Sequence, residues 1–529
     1  MTTSAATIDI REESRTPGWV GAFAGFIGAA VALGLSELIA GLFAPGSSLI
    51  TAVGQTVIDL QPPGGKDFVV ALFGTNDKLA LEFIVTGTAL AIGALLGYLG
   101  RDRFAIAAGG FVAFGIVGFL AVVRQPLGSP AFGALIAGIA VIAGVQVMSW
   151  LLGTAKRRLA VASATAEASA GMPDWGRRRL LLTGSAVGVA ALAGGLLGRT
   201  FAARSSVAPA AADGEIPPAG ELAPPPPAGA DLSSQVAGLT PLIVPNDRFY
   251  QIDTALFTPI VDTATWQLRI HGMVDRETTL TWDELVQLPL FEQYVTIACV
   301  SNEVGGRLVG NAKWTGVRLR EVLDMAGVQA GATQLVGRSV DGWTAGMPTA
   351  WVMDPAREPM IALRMNDEPL PPRHGFPARL IVPGLYGYVS ATKWLAELEL
   401  TTMEAFDAYW VPLGWAKEAP ILTQSRIDTP RPGALATGRV AIAGVAWAPD
   451  RGISKVEVGI DDAWQDARLS TPISDATWVQ WVFDWDPTPG RHRIEVRATD
   501  GAGETQPQQR TTPAPDGARG WHSVDVTVG

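Results

Sequence analysis

Cysteine is almost absent from this chain. One residue in 529, Cys299, carries a thiol, and there are only four histidines: His271, His374, His492 and His522. A single cysteine excludes an intramolecular disulfide. A lone thiol on an exported domain invites oxidation, so its presence calls for a reason. No histidine falls in the apolar stretches of the first 200 residues. That excludes a bis-histidine haem there, because the usual axial ligands are missing. Zinc is not expected either, since there is no second cysteine and no nearby histidine pair. Surplus basic charge is lacking too: 40 Lys+Arg stand against 50 Asp+Glu. A nucleic-acid partner is therefore not expected.

What the sequence has is apolar surface, concentrated at one end. Five runs, Trp19–Phe43, Leu79–Gly100, Phe104–Val123, Pro130–Leu152 and Leu180–Gly198, are long enough to cross a bilayer as helices, which takes about 20 residues each. Glu37 and Glu82 are their main ionisable residues. Glu82, near a helix end, is expected to snorkel. Glu37 lies deeper, where charge is expensive, and reads either as a functional group or as a helix–helix contact. Lys and Arg in the loops set the orientation. With the N-terminus inside, Arg11, Arg15, Arg101, Arg103 and the six of Lys156, Arg157, Arg158, Arg177, Arg178 and Arg179 face the cytoplasm, against Lys66, Lys78 and Arg124 outside. The expected protein is thus a multi-pass protein of the cytoplasmic membrane, with everything after the fifth run extracytoplasmic. Arg177-Arg178-Arg179-Leu180-Leu181 before a weakly apolar Gly/Ala segment resembles an internal twin-arginine export signal.

Residues 201–242 are rich in Ala and Pro, including Pro224 to Pro227, and read as a semi-extended tether that buries no core. Residues 243–419 mix short strands and helices without a βαβ rhythm, an α+β texture. Trp266 to Gly272 alternates as a strand, and Thr281 with Glu284 reads as a capping box. Tyr294 to Val300 and Arg379 to Pro383 read as buried strands. Residues 420–529 change to recurring β runs (Gly438–Ala446, Ile453–Ile460, Trp478–Asp484, Arg491–Ala498, Ser523–Val528) separated by turns. That pattern predicts an immunoglobulin-like β-sandwich.

Cys299 ends an apolar strand and runs into Val300-Ser301-Asn302-Glu303-Val304-Gly305-Gly306. A polar, Gly-containing loop at a strand end is where substrate sites are built. Taken alone, the residue fits a thiolate for a sulfur-seeking metal, a buried inert thiol, or a nucleophile paired with His271 or His374.

The order of motifs narrows this. Ile297-Ala298-Cys299-Val300-Ser301-Asn302 resembles the cysteine loop of the sulfite oxidase family. Leu370-Pro-Pro-Arg-His374-Gly-Phe-Pro-Ala-Arg379-Leu-Ile-Val-Pro383 is similar to its pterin-binding stretch, and Lys393-Trp394-Leu395 follows. Pro245-Asn246-Asp247-Arg248-Phe249-Tyr250 and Ser339-Val340-Asp341-Gly342 resemble its other pterin-facing segments. Tyr409-Trp410 falls where the family carries an active-site tyrosine. The resemblance spans about residues 243–528. It implies a multi-domain molybdopterin-dependent oxidoreductase: a five-helix transmembrane region, a sulfite-oxidase-type α+β domain, and a sandwich of the kind used for dimerisation. It implies that Cys299 ligates molybdenum, that His374 and Arg379 contact the pterin, Arg379 on its phosphate, and that Asn246, Asp247, Phe249, Tyr250, Ser339, Asp341, Ser390, Thr392 and Lys393 are further pterin contacts. Tyr409 would face a small-molecule substrate. The expected electron partner is a quinone or a redox protein, with a homodimer also implied. One departure matters. Sulfite-oxidising members carry adjacent arginines after the cysteine, and here Glu303 and Val304 stand there; Pro245 replaces another arginine. A strongly cationic sulfite pocket is not expected, and a neutral oxide such as a sulfoxide or N-oxide stays open. The competing reading is a catalytically silent, membrane-tethered binding or sensor module that keeps the fold.

Overall fold

The computed structural model describes residues 16–62, 65, 72–73, 77–164, 174–205, 216–435 and 438–529. The chain divides into two compact units: Met1–Ser206 with Ala255–Phe257, and Val207–Thr254 with Thr258–Gly529.

The first unit is helical: α1 (Gly18–Phe43), α2 (Leu49–Asp59), α3 (Asp77–Gly100), α4 (Phe104–Arg124), α5 (Pro130–Ala164) and α6 (Asp174–Ser205). All but the short α2 are long and apolar enough to cross a membrane. Arg11, Arg15 and Lys66 lie outside the described residues. Helix α1 is central, and small residues let its neighbours come close. A Cβ on Gly25 would lie 2.8 Å from the Gly97 Cα on α3, and one on Gly34 would lie 3.1 Å from the Ala191 Cα on α6. The two expected charges are committed to contacts inside this unit. Glu37 accepts from the Ser48 hydroxyl at 2.7 Å. Glu82 accepts from Arg199 at 2.7 Å, and the same guanidinium stands 3.7 Å from Glu37. An ion pair satisfies a carboxylate without moving it to water.

The second unit holds four sheets. One runs β2-β1-β10-β5-β6, built from β1 (Gln267–Gly272), β2 (Thr278–Thr281), β5 (Gln334–Ser339), β6 (Thr344–Pro348) and β10 (Leu395–Thr401). Another runs β3-β4-β7-β8 with β9 added to β7, from β3 (Leu290–Ala298), β4 (Val309–Arg318), β7 (Met360–Met365), β8 (Glu368–Pro369) and β9 (Arg379–Ile381). Short helices α7 (Trp282–Val286), α8 (Leu319–Ala326), α9 (Thr349–Val352) and α10 (Gly387–Ser390) connect them. The predicted capping box is present: the Glu284 N–H donates to Thr281 Oγ1, and the Thr281 N–H donates to Glu284 at 2.8 Å.

The C-terminal part is two facing sheets, β11-β13-β17-β16 and β12-β19-β18-β14-β15. Their strands are β11 (Gln424–Thr429), β12 (Gly433–Leu435), β13 (Val440–Trp447), β14 (Ile453–Ile460), β15 (Ala463–Asp466), β16 (Arg468–Leu469), β17 (Val479–Trp485), β18 (Gly490–Asp500) and β19 (His522–Val528). Alternate residues fill the space between them, among them Ile442, Trp481, Val458, Val496 and Val526.

Three features differ from the sequence reading. The fifth apolar helix runs on to Ser205. The described part of the linker, from Ile216, is not a free tether. Leu232, Val236 and Leu239 are buried against Ala443 and Val482, and Gln480 accepts from the Leu232 N–H and donates to the Thr240 carbonyl. Scattered leucines and valines between prolines find apolar partners that no local periodicity announces. The seam near residue 420 is also continuous: Val445, Trp447 and Trp478 share one core with β3 and β4, and the Trp478 N–H donates to Thr296 at 2.8 Å.

Candidate active site

Cys299 follows the last residue of β3, where the β3–β4 ladder opens. Its N–H donates to the Leu308 carbonyl at 2.9 Å, closing the loop between the strands. Inside the loop the Asn302 N–H donates to the Cys299 carbonyl, and the Asn302 side chain accepts from the Leu308 N–H at 2.8 Å. The thiol is buried, with the Ser301 hydroxyl 2.9 Å from the sulfur. The C-terminal sandwich holds the loop from outside. Gln424 lies 3.4 Å from the Asn302 amide nitrogen, and Arg426 donates to the Gly306 carbonyl at 2.9 Å. Gly305, at φ +79°, is pressed against the His522 ring, leaving no room for a Cβ. Glu303 is exposed, and so is Arg307 on the same loop.

Beside this loop lies an aromatic wall that holds a buried arginine. Arg379, at the start of β9, is 3% exposed. It donates to the His374 carbonyl at 3.0 Å and faces the Trp314 ring at 5.2 Å, and its Nε has no hydrogen-bond partner. No acidic side chain is paired with it among the described residues. Burial alone lowers its pKa to about 10. Tyr250 is close enough to feel both neighbours. Burial and the Cys299 charge raise its pKa, and Arg379 pulls it back. Its ring stacks on Phe249 at 5.3 Å, and Phe249 meets His374 edge-on at 5.8 Å.

His374 Nε2 lies 2.9 Å from the Asn246 carbonyl oxygen. A carbonyl can only accept, so this nitrogen carries the proton. Burial first, and then the Arg379 and Lys393 charges, lower the His374 pKa to about 4, so the ring is neutral near pH 7. The Asn246 amide is spent on the main chain of Met365, on Glu368 and on Asn366. Lys393 donates to Asp253 at 2.8 Å and to the Arg373 carbonyl at 3.0 Å. Asp341 belongs to the same charge group. Burial raises its pKa, Ser339 and the Trp343 N–H lower it, and Asp253 and Lys393 act on it from across the site.

The structure therefore brings together Cys299, Tyr250, Phe249, His374, Arg379 and Asn246, with Lys393 and Asp341 as a linked group. Ser390 and Thr392 turn their hydroxyls to the carbonyls of Leu385, Tyr386 and Gly337. Asp247 is exposed on the turn that starts at Pro245. The Tyr409 N–H donates to Thr344 Oγ1 at 3.0 Å, and its ring meets Trp410 edge-on. Sequence reasoning missed Asp253, the Lys393 partner, which no local motif marks. It also missed Tyr386, the other tyrosine that senses Cys299.

An anionic cofactor fits this donor set. A buried guanidinium with no counter-charge is costly, and a phosphate offers it charge and paired acceptors. Among the described residues no cluster of three or more His, Cys, Asp or Glu could hold a metal on its own. A metal here would need ligands brought by the cofactor as well as the Cys299 sulfur.

Residues 255–410 match the family model described as "Oxidoreductase molybdopterin binding domain". The chain is 30% identical over 343 residues to the mitochondrial sulfite oxidase of Homo sapiens, covering 54% of this chain and 62% of that protein. It is 27% identical over 316 residues to nitrate reductase [NADH] 1 of Oryza sativa subsp. japonica, covering 47% of this chain and 34% of that one. Among solved structures, the sulfane dehydrogenase SoxCD from Paracoccus pantotrophus superposes with a TM-score of 0.46 at 22% identity, over 54% of this chain and 84% of that one. The chain thus spans less than two thirds of the length of these curated relatives.

Proposed function

We propose that this chain, a sulfite oxidase family protein with a molybdopterin-binding domain, is a membrane-anchored oxidoreductase whose catalytic part lies outside the cytoplasmic membrane. It acts on a small substrate by oxygen-atom or electron transfer. The observation that carries the reading is a buried arginine with no counter-charge, Arg379, beside a site that also holds the only thiol in the chain, Cys299. In this reading residues 243–419 form the catalytic domain, and 420–529 form an immunoglobulin-like domain suited to dimerisation. The five long apolar helices anchor the chain, N-terminus inside.

The molybdenum–pterin group, when bound, supplies the two-electron chemistry. The protein's residues place and tune it. Cys299 offers a thiolate, with the Ser301 hydroxyl 2.9 Å away as its hydrogen-bonding neighbour. Arg379 neutralises anionic charge. His374 fixes the turn that begins at Pro245 through the Asn246 carbonyl and stays neutral, so it adds no positive charge to the site near pH 7. The Tyr250, Phe249 and Trp314 rings exclude water around the guanidinium, which strengthens every charge interaction there. Glu303 and Val304 leave the substrate side less cationic than an arginine pair would. Sulfoxides and N-oxides are therefore proposed alongside sulfite. A quinone or a redox protein completes the electron balance, taking two electrons when sulfite is oxidised and supplying two when a sulfoxide or N-oxide is reduced.

The test is metal and pterin analysis of the full chain made in a pterin-competent host, beside a Cys299→Ser variant. About one molybdenum per chain in the wild type, with the metal lost or altered in the variant, is the expected result. Wild-type protein without molybdenum would favour the catalytically silent binding module.

A further inference from the structure

Tyr386 stands at the start of α10. Its N–H donates to the Ala419 carbonyl at 3.0 Å, and its own carbonyl accepts from the Ser390 hydroxyl at 3.0 Å. The backbone is therefore pinned from both sides. Gly387, the next residue, lies against the strand that delivers Cys299. A Cβ there would sit 3.7 Å from the Ala298 carbonyl oxygen and 4.0 Å from the Tyr250 hydroxyl. The Tyr386 side chain is 1% exposed, and its hydroxyl has no hydrogen-bond partner. The Leu422 main chain leans toward it without reaching bonding geometry. Its remaining wall is Gly517, on the sandwich segment between β18 and β19. Gly517 holds φ +117°, and a Cβ on it would stand 2.6 Å from the phenol oxygen. Two residues on, Arg519 is locked to Asp516 by bonds of 2.9 and 2.7 Å and acts electrostatically on the same phenol.

Leaving a buried hydroxyl unpaired costs about 1–3 kcal/mol. Such orphans in native folds call for an explanation, and an absent ligand is one. Burial and the Cys299 charge both keep the phenol protonated, so it can donate a hydrogen bond and not only accept one. The three substrate types left open by the cysteine loop share one feature: each presents an oxygen that accepts a hydrogen bond.

We propose that Tyr386 is a substrate-facing residue, whose hydroxyl donates a hydrogen bond to the oxygen of a small oxo-compound at the Cys299 site. Gly517 is a positioning residue that lets the phenol occupy that place. The inference rests on the function proposed above and adds a residue to its site.

The experiment uses the full-length, cofactor-loaded protein, with sulfite, dimethyl sulfoxide and trimethylamine N-oxide as probes. Tyr386→Phe removes one oxygen. Gly517→Ala keeps the phenol and displaces it through the added Cβ. The expected result for both is unchanged molybdenum and pterin content, with kcat/KM lowered about 10- to 100-fold on whichever probe the wild type turns over. For Tyr386→Phe the melting temperature does not fall below the wild-type value, because the unpaired hydroxyl is removed; a merely structural role would lower it together with kcat/KM. Molybdenum-loaded Tyr386→Phe at full wild-type activity overturns the inference alone. Loaded wild type that turns over none of the probes overturns the substrate class and the inference with it. Wild type without molybdenum overturns the parent reading.

Discussion

Replacing Arg379 with methionine separates a cofactor-binding arginine from a structural one. In cofactor-free protein the guanidinium is buried with no acidic partner, and burial lowers its pKa to about 10. At about 1.4 kcal/mol per pKa unit, holding the charge there costs on the order of 3 kcal/mol. The penalty applies to the protonated form. It is fully present at pH 7, below the folded pKa, and disappears only above the ordinary arginine range. Against it stand one hydrogen bond to the His374 carbonyl and the contact with Trp314, together worth about 2–3 kcal/mol. The two sides nearly cancel. Cofactor-free Arg379→Met should therefore unfold within about 1 kcal/mol of wild type, whereas breaking a buried ion pair costs about 3–5 kcal/mol. The assay is denaturant unfolding of both proteins from a pterin-deficient host, followed by tryptophan fluorescence, with molybdenum content measured after expression in a competent host. Near-equal stability with loss of the metal is the prediction. A loss of several kcal/mol in the cofactor-free variant, or full metal retention, would refute the reasoning.

Other outcomes follow from the same geometry. His374 and His522 both have pKa values lowered to about 4 by burial. Below the ordinary histidine value near 6.5 the unfolded chain binds protons that the folded one does not. Stability should fall as pH drops from about 6.5 toward 4, and His374→Gln should flatten part of that slope in unfolding curves taken at pH 7 and pH 4.5. Lys393→Met strips Asp253 of the ammonium at 2.8 Å, with both side chains 10% exposed. It should cost about 3 kcal/mol or more in cofactor-free protein, far more than Arg379→Met. Gly305→Ala forces a Cβ into the His522 ring at a φ of +79°. Metal loading should drop in this variant, because the loop holding Cys299 must move, and metal analysis of purified protein checks it. Reporter fusions placed after Arg157 and after Ser205 should report the inside and the outside of the membrane, respectively; the reverse pattern would invert the proposed topology.

Much of the fold was legible because its signals are local. The five long apolar helices follow from composition alone, and β14 falls on the predicted Ile453–Ile460. The capping box at Thr281 was readable because it needs only two residues three apart. Cys299, His374 and Arg379 could be picked out by motif order, and the structure gathers them around one site. What stayed hidden depends on distant partners. The Ala/Pro-rich stretch looked unable to bury anything, yet Leu232 and Val236 pack on the sandwich. The Glu82 partner, Arg199, lies 117 positions away, so no local pattern announces the pair. Asp253 and Tyr386 carry no pattern in their own segments. Each gains meaning only from Lys393 in one case and from Gly517 and the Cys299 strand in the other.

The central claim is that Cys299 places its sulfur on molybdenum. Molybdenum X-ray absorption of the wild type and of metal-retaining Cys299→Ser tests it most directly. The prediction is one fewer sulfur neighbour in the variant, with an oxygen in its place. An unchanged sulfur shell in a variant that still holds the metal would contradict the account.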